Sequence, residues 1–183
     1  MNMLNREHII AETKQWLQSF VIELNLCPFA KREIERHSLR IEMSSANEAQ
    51  TAMNDFLKEL HWLDADASVE TTLLIFPRMF SDFYDYLDFV HFCEFLLVER
   101  NFEGVYQVAS FHPLYRFANE PETEVSNYTN RSPYPMLHLL REHSLEKAIA
   151  FYGDTESIPQ KNIQTMRKLG LQKIQSLLHA CKK

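Results

Sequence analysis

Between residues 39 and 111 the spacing of apolar side chains alternates between two periods, and that alternation limits the fold more than any other feature. Leu39-Arg-Ile-Glu-Met43 alternates apolar with polar, which predicts a strand. Residues 46 to 63 repeat at helical spacing, with Ala49, Met53, Phe56, Leu57 and Leu60 on one side. Glu70 to Phe76 is rich in β-branched and apolar residues and stops at Pro77. Ser81 is placed to cap a helix reaching Asn101, and Gly104 introduces a third strand ending at Phe111. Crossovers of this length suit parallel neighbours. The expectation is one α/β domain over residues 1–183, a small, mainly parallel sheet with a βαβαβ core and flanking helices. A ferredoxin-like α+β arrangement with an antiparallel edge is the alternative. With 183 residues, 45% of them hydrophobic, the chain is long enough to bury a core.

The flanks read as helical. Ile9, Thr13, Trp16, Phe20 and Leu24 recur along residues 5 to 25, with Asn5 as a cap, until Leu26-Cys27-Pro28 breaks the pattern. Residues 29 to 37 suggest a further turn or two. Helices are also expected from Pro133 to about Phe151 and from Pro159 to about Lys182, the last bent or split at Gly170. Residues 113 to 132 show no clear period. A loop of that length is often functional.

Several function classes are disfavoured. Only Gly104, Gly153 and Gly170 occur, so a glycine-rich phosphate-binding loop cannot be assembled. Nineteen Lys and Arg against twenty-five Asp and Glu give a net charge of −6, which provides no general attraction to nucleic acid. The apolar runs are too short to span a bilayer, and the charged N-terminus lacks a signal-peptide core. Cys27, Cys93 and Cys181 have no paired spacing, which fits a reducing cytoplasm without disulfides. The histidines lack metal-ligand spacing, so no metal is expected, and the sequence names no cofactor. Phe80, Phe83, Tyr84, Tyr86, Phe89, Phe92 and Phe95 crowd one helix, which implies burial on more than one side or a homo-oligomer contact.

Reactive groups fall at the expected ends of elements. Cys27 precedes Pro28, with Lys31 and Arg32 nearby; a helix start or those cations would favour its thiolate, whereas the alternative is a small buried hydrophobe. His112 closes the third strand, where ligands gather in open parallel sheets and imidazole can exchange protons; the alternative is a histidine tying the next loop to backbone. Asn130, Arg131 and Ser132 precede the helix expected at Pro133. A helix start attracts anions and Arg131 would add a two-pronged donor. On that helix His138 and Arg141, three residues apart, would share a face, toward the same pocket or toward solvent.

At these same residues the chain resembles a known family. Asn25-Leu-Cys-Pro-Phe-Ala-Lys31, Gly104-Val-Tyr-Gln-Val-Ala-Ser-Phe-His-Pro113 and Asn127-Tyr-Thr-Asn-Arg-Ser-Pro-Tyr-Pro-Met-Leu-His-Leu-Leu-Arg-Glu142 are similar to the blocks of domain of unknown function 1415. The resemblance spans essentially the whole chain. It implies a small bacterial cytoplasmic protein and carries over no catalytic residues.

The leading functional expectation is an enzyme for a small phosphate- or carboxylate-bearing substrate. Cys27 and His112 would be catalytic and would lie near each other. Asn130, Arg131, Ser132, His138 and Arg141 would bind substrate. The competing expectation is a non-catalytic ligand sensor or an oligomeric interaction module.

Overall fold

A computed structural model describes residues 5–182. The chain forms one mixed sheet with helices on both faces. α1 (Arg6–Trp16) begins at Asn5, whose side chain accepts a hydrogen bond from the Glu7 N–H at 2.9 Å. It widens into a π-helical segment, Leu17–Ile22, where Leu26 N–H reaches back to the Val21 carbonyl. Asn25 then adopts a left-handed φ of 53°, and the chain turns into the short α2 (Ala30–Glu35). β1 (Leu39–Met43), α3 (Ala49–Ala65), β2 (Thr71–Ile75), α4 (Phe83–Glu99) and β3 (Tyr106–Phe111) follow in the expected order. Asp82 rather than Ser81 caps α4, accepting from the N–H groups of Tyr84 and Asp85. No helix among the described residues is long and apolar enough to cross a membrane.

The segment after Pro133 differs from the expectation. It is a strand, β4 (Met136–Arg141), which passes without a loop into α5 (Glu142–Tyr152). β4 slots between β2 and β3, so the sheet order is β1-β2-β4-β3. β1 and β2 pair in parallel, and β4 runs antiparallel to both β2 and β3. The three expected strands thus point the same way, while the antiparallel member is central rather than at an edge. Met136, Leu137 and Leu139 are fully buried, as a central strand covered on both faces requires. A continuous apolar run of this kind has no period that separates buried strand from helix. The sequence cue is Pro133-Tyr-Pro135, because each proline biases the residue before it toward extended backbone.

Helices α3 and α4 cover one face, packing Phe56, Leu60, Tyr86 and Val90 against Leu74, Leu137 and Leu139. The other face carries Leu73, Ile75 and Met136. Trp16 and Phe20 cover it, together with Met166 of α6 (Ile158–Leu169) and Ile174 of α7 (Leu171–Ala180). Gly170, at φ +75°, separates α6 from α7. Along α4 the aromatics divide: Phe83, Tyr86 and Phe89 are buried, whereas Tyr84, Phe92 and Phe95 face outward. The free edge of β1 is charged: Arg40 bonds both oxygens of Glu59 and one of Glu42, which also meets Arg6. Such charges oppose edge-to-edge association.

Candidate functional site

The residues around the carboxyl end of β3 form a structural tie. His112 is buried, with its ring close to Phe83 and Tyr86 on the α4 side of the sheet. Its Nδ1 accepts from the Leu114 N–H at 3.0 Å, so Nε2 carries the proton and donates to the Phe80 carbonyl at 2.7 Å. Burial lowers its pKa, against the opposing effect of the Phe80 carbonyl. Asn130 Nδ2 donates to the Ser110 carbonyl, and Ser132 Oγ donates to the Tyr134 carbonyl. Arg131 is buried as well. Its Nε donates to Tyr115 O at 3.2 Å, its NH2 group donates to Glu122 O at 3.1 Å, and its guanidinium lies 4.1 Å from the centre of the Tyr128 ring. Asn127 completes the tie by donating to Pro121 O and accepting from the Phe117 N–H.

This corrects the geometry behind the anion site. No helix begins at Pro133, so no set of unpaired helix N–H groups faces Arg131 there. The guanidinium is committed to carbonyls of the 113–132 loop. Ligand-binding residues and loop-organising residues carry the same polar signature, and the sequence does not separate them.

His138 and Arg141 also change their relationship. Three residues apart on a helix they would share a face; on a strand they point to opposite faces. Arg141 turns toward the end of α3. Its Nε donates to Val69 O at 3.0 Å, and its NH2 group to Asp66 O at 3.0 Å and to Leu63 O. Carbonyls left unpaired where a helix stops are natural partners for a cation. NH1 also reaches the Tyr106 hydroxyl at 3.1 Å.

His138 turns the other way, into a cavity of about 260 Å³ whose lining Arg141 also joins, so the two residues border one pocket from opposite faces of the strand. Leu73, Ala109, Phe111 and Leu140 of the sheet line it, as do Trp16, Leu17 and Val21 from the first helical segment. Cys27, Phe29 and Ala30 close one side, and Leu145 and Ala148 of α5 the other. Pairing places Leu73, His138 and Ala109 in one row across β2, β4 and β3. The walls are almost wholly apolar. Arg32, Glu33, Glu70 and Ser144 gather where β1 and β2 begin and β4 ends. Each has a partner: Arg32 Nε donates to Glu33 Oε1 at 2.7 Å, Ser38 Oγ to Glu33 Oε2 at 2.5 Å, and Ser144 Oγ to Glu70 Oε2 at 2.5 Å.

Cys27 and His138 both line this cavity. Burial holds His138 down to about 4, so its imidazole is neutral at ordinary pH. Burial also raises the Cys27 thiol pKa, more than the nearby N–H groups of Phe29 and Ala30 lower it. The expected activation of Cys27 by Arg32 is replaced by an Arg32–Glu33 pair. Cys27 belongs to the layer over the His138 face, whereas His112 packs into the α4 layer. The sheet lies between them, so they do not form the anticipated pair. All three cysteines are free. No group of three or more His, Cys, Asp or Glu among the described residues is arranged to hold a metal ion.

Cys27, His138 and Arg141 are therefore brought together at one cavity, and His112, Asn130, Arg131 and Ser132 at one loop tie. Sequence reading assigned His138 to the wrong element. It missed Thr71, Ala109 and Ala148, whose side chains carry no distinctive chemistry.

No curated protein and no solved structure matches the chain. A family model described as protein of unknown function (DUF1415) matches residues 8–176, which include Cys27, the whole sheet and the lining of the cavity. The chain therefore belongs to the DUF1415 family.

Proposed function

We propose that this protein is a non-catalytic binding module for a small, uncharged, predominantly apolar molecule, held between the sheet and α5. The observation that carries this reading is the cavity of about 260 Å³ over the centre of the sheet. Close-packed interiors contain few voids larger than a water molecule. An apolar cavity of ~150 Å³ already accepts benzene, so this one has room for a somewhat larger guest. The charged groups at its rim are engaged with one another or with carbonyls and its walls are almost wholly apolar, which favours a neutral guest over phosphate or carboxylate. Two further features favour binding over turnover: the Cys27 thiol is held above its usual pKa, and His138 is held neutral. The reducing cytoplasm is the compartment that suits the three unpaired cysteines.

Trp16 gives the test its signal, because it lines the cavity while Trp62 lies half-exposed against Arg40. In a Trp62→Phe background, toluene or cyclohexanol should alter Trp16 emission and raise the melting temperature. Inorganic phosphate and benzoate should do neither. Stabilisation by phosphate or benzoate with none by the neutral compounds would overturn the reading.

A further inference from the structure

Among the polar groups that line the cavity, the hydrogen-bonding sense of His138 follows from counting protons. Thr71 Oγ1 lies 2.7 Å from the Leu139 carbonyl and 2.6 Å from His138 Nε2. A carbonyl oxygen only accepts, so the single hydroxyl proton of Thr71 is directed to Leu139 O. The contact to the ring then requires its proton from Nε2. His138 is accordingly the Nε2–H tautomer, and Nδ1 presents a bare lone pair.

That lone pair has no partner among the described residues. The sealed side-chain polar atoms that lack a partner among those residues are Thr72 Oγ1 and Ser126 Oγ, so Nδ1 is not sealed. Leu137 and Leu139 on either side of His138 are fully buried, whereas His138 itself is only partly buried and lines the cavity. Protonating Nδ1 would place a charge against apolar walls, and burial disfavours this strongly. The ring is therefore a fixed acceptor. Phe111 lies edgewise to Trp16, with ring centres 5.4 Å apart, and 6.2 Å from the His138 ring, so the surroundings of the acceptor are hydrocarbon.

We infer that the ligand is a neutral amphiphile that donates one hydrogen bond, an alcohol, phenol or N–H heterocycle, to His138 Nδ1, with its apolar body against Leu73, Ala109, Phe111 and Ala148. This rests on the binding-module reading and narrows it to one ligand class. Thr71 is the positioning residue: by accepting from Nε2 it keeps the lone pair on the cavity side. A ligand offering only an acceptor would face Nδ1 lone pair to lone pair.

The test uses three probes of similar shape. Cyclohexanol donates and accepts, cyclohexanone only accepts, and methylcyclohexane does neither. Calorimetric and fluorescence titrations on the wild-type chain, Thr71→Val and His138→Leu should show cyclohexanol favoured over cyclohexanone by about tenfold in wild type, the value of one buried hydrogen bond. Both variants should reduce the preference, and His138→Leu should remove it while retaining methylcyclohexane binding. Long-range proton–nitrogen NMR spectra of the ligand-free wild-type protein should show His138 with a protonated Nε2 and a bare Nδ1. Equal binding of all three probes would overturn this inference and leave the binding module standing. A preference for cyclohexanone, or a protonated Nδ1 in the NMR spectra, would also overturn it. Failure of every probe to bind wild type would remove the binding-module reading and this inference together.

Discussion

The carboxyl end of β3 and the cavity over β4 differ in how completely their polar atoms are used. At the first, His112, Asn127, Asn130, Arg131 and Ser132 form a dense polar group, yet each finds its partner inside the protein. At the second, polar atoms are scarce and His138 Nδ1 has no partner among the described residues. A crowd of functional-looking side chains is therefore a weaker sign of binding than one unsatisfied atom in an apolar setting. Buried polar groups are normally paired, so an unpaired one that remains open carries information.

The largest expected effect breaks the tie at β3. Arg131→Ala leaves Tyr115 O without its charged donor and Glu122 O with only the long contact from Asn127 Nδ2, and it removes the contact with Tyr128. The loss should be about 3 kcal/mol or more, because hydrogen bonds to charged groups each contribute roughly 1.5–3 kcal/mol. Urea denaturation would measure it. Arg131→Lys should also destabilise the chain, since one ammonium does not reproduce the planar fork. Added phosphate should leave the difference unchanged. Restoration of Arg131→Ala by phosphate would mean that the tie is a binding site after all.

Acid should have a slightly smaller effect, and it reaches both regions through a buried histidine in each. His138 ionises near 4 in the folded chain against an ordinary 6.5, so the unfolded chain binds the extra proton first. Its contribution to stability is complete above about pH 6.5 and is lost as pH falls toward 4 and below, to a limit of about 3 kcal/mol. His112, also lowered, adds to the same slope. In stability curves between pH 4 and 7, His138→Leu should flatten the profile in part. A variant profile that parallels wild type would show that His138 titrates normally.

Filling the cavity sharpens the comparison with little disturbance. Ala109→Leu places added hydrocarbon in the middle of the sheet row beside His138. Folding stability should change by no more than about 1 kcal/mol, since the burial gain of roughly 0.8 kcal/mol per methylene is offset by local strain. Cyclohexanol binding should disappear. Retained binding would place the ligand elsewhere.

The smallest effect concerns Cys27. Its raised pKa predicts alkylation by iodoacetamide at neutral pH that is slower than that of a free thiol, with the rate rising under alkaline conditions. A neutral ligand should slow it further, because Cys27 lines the cavity. Rapid modification at pH 7, followed by mass spectrometry, would restore the case for an activated nucleophile.

Local pattern alone established much of the molecule. Periodicity located α1, β1, α3, β2, α4 and β3, Asn5 announced its cap, and Gly170 its break, because these depend on residues close in sequence. Residues 133–151 did not yield to such reading: the strand is buried on both faces and runs straight into a helix, so neither a clean period nor a turn marks the junction. Tertiary structure decided that β4 enters between β2 and β3, and every site assignment depends on that insertion. It turned His138 and Arg141 to opposite faces, directed Arg131 to carbonyls of its own loop, and left the sheet between Cys27 and His112. Residue type states what a side chain is able to donate or accept. Which donors are already occupied is set by carbonyls and hydroxyls brought from distant parts of the chain, as Leu139 O and Thr71 are for His138.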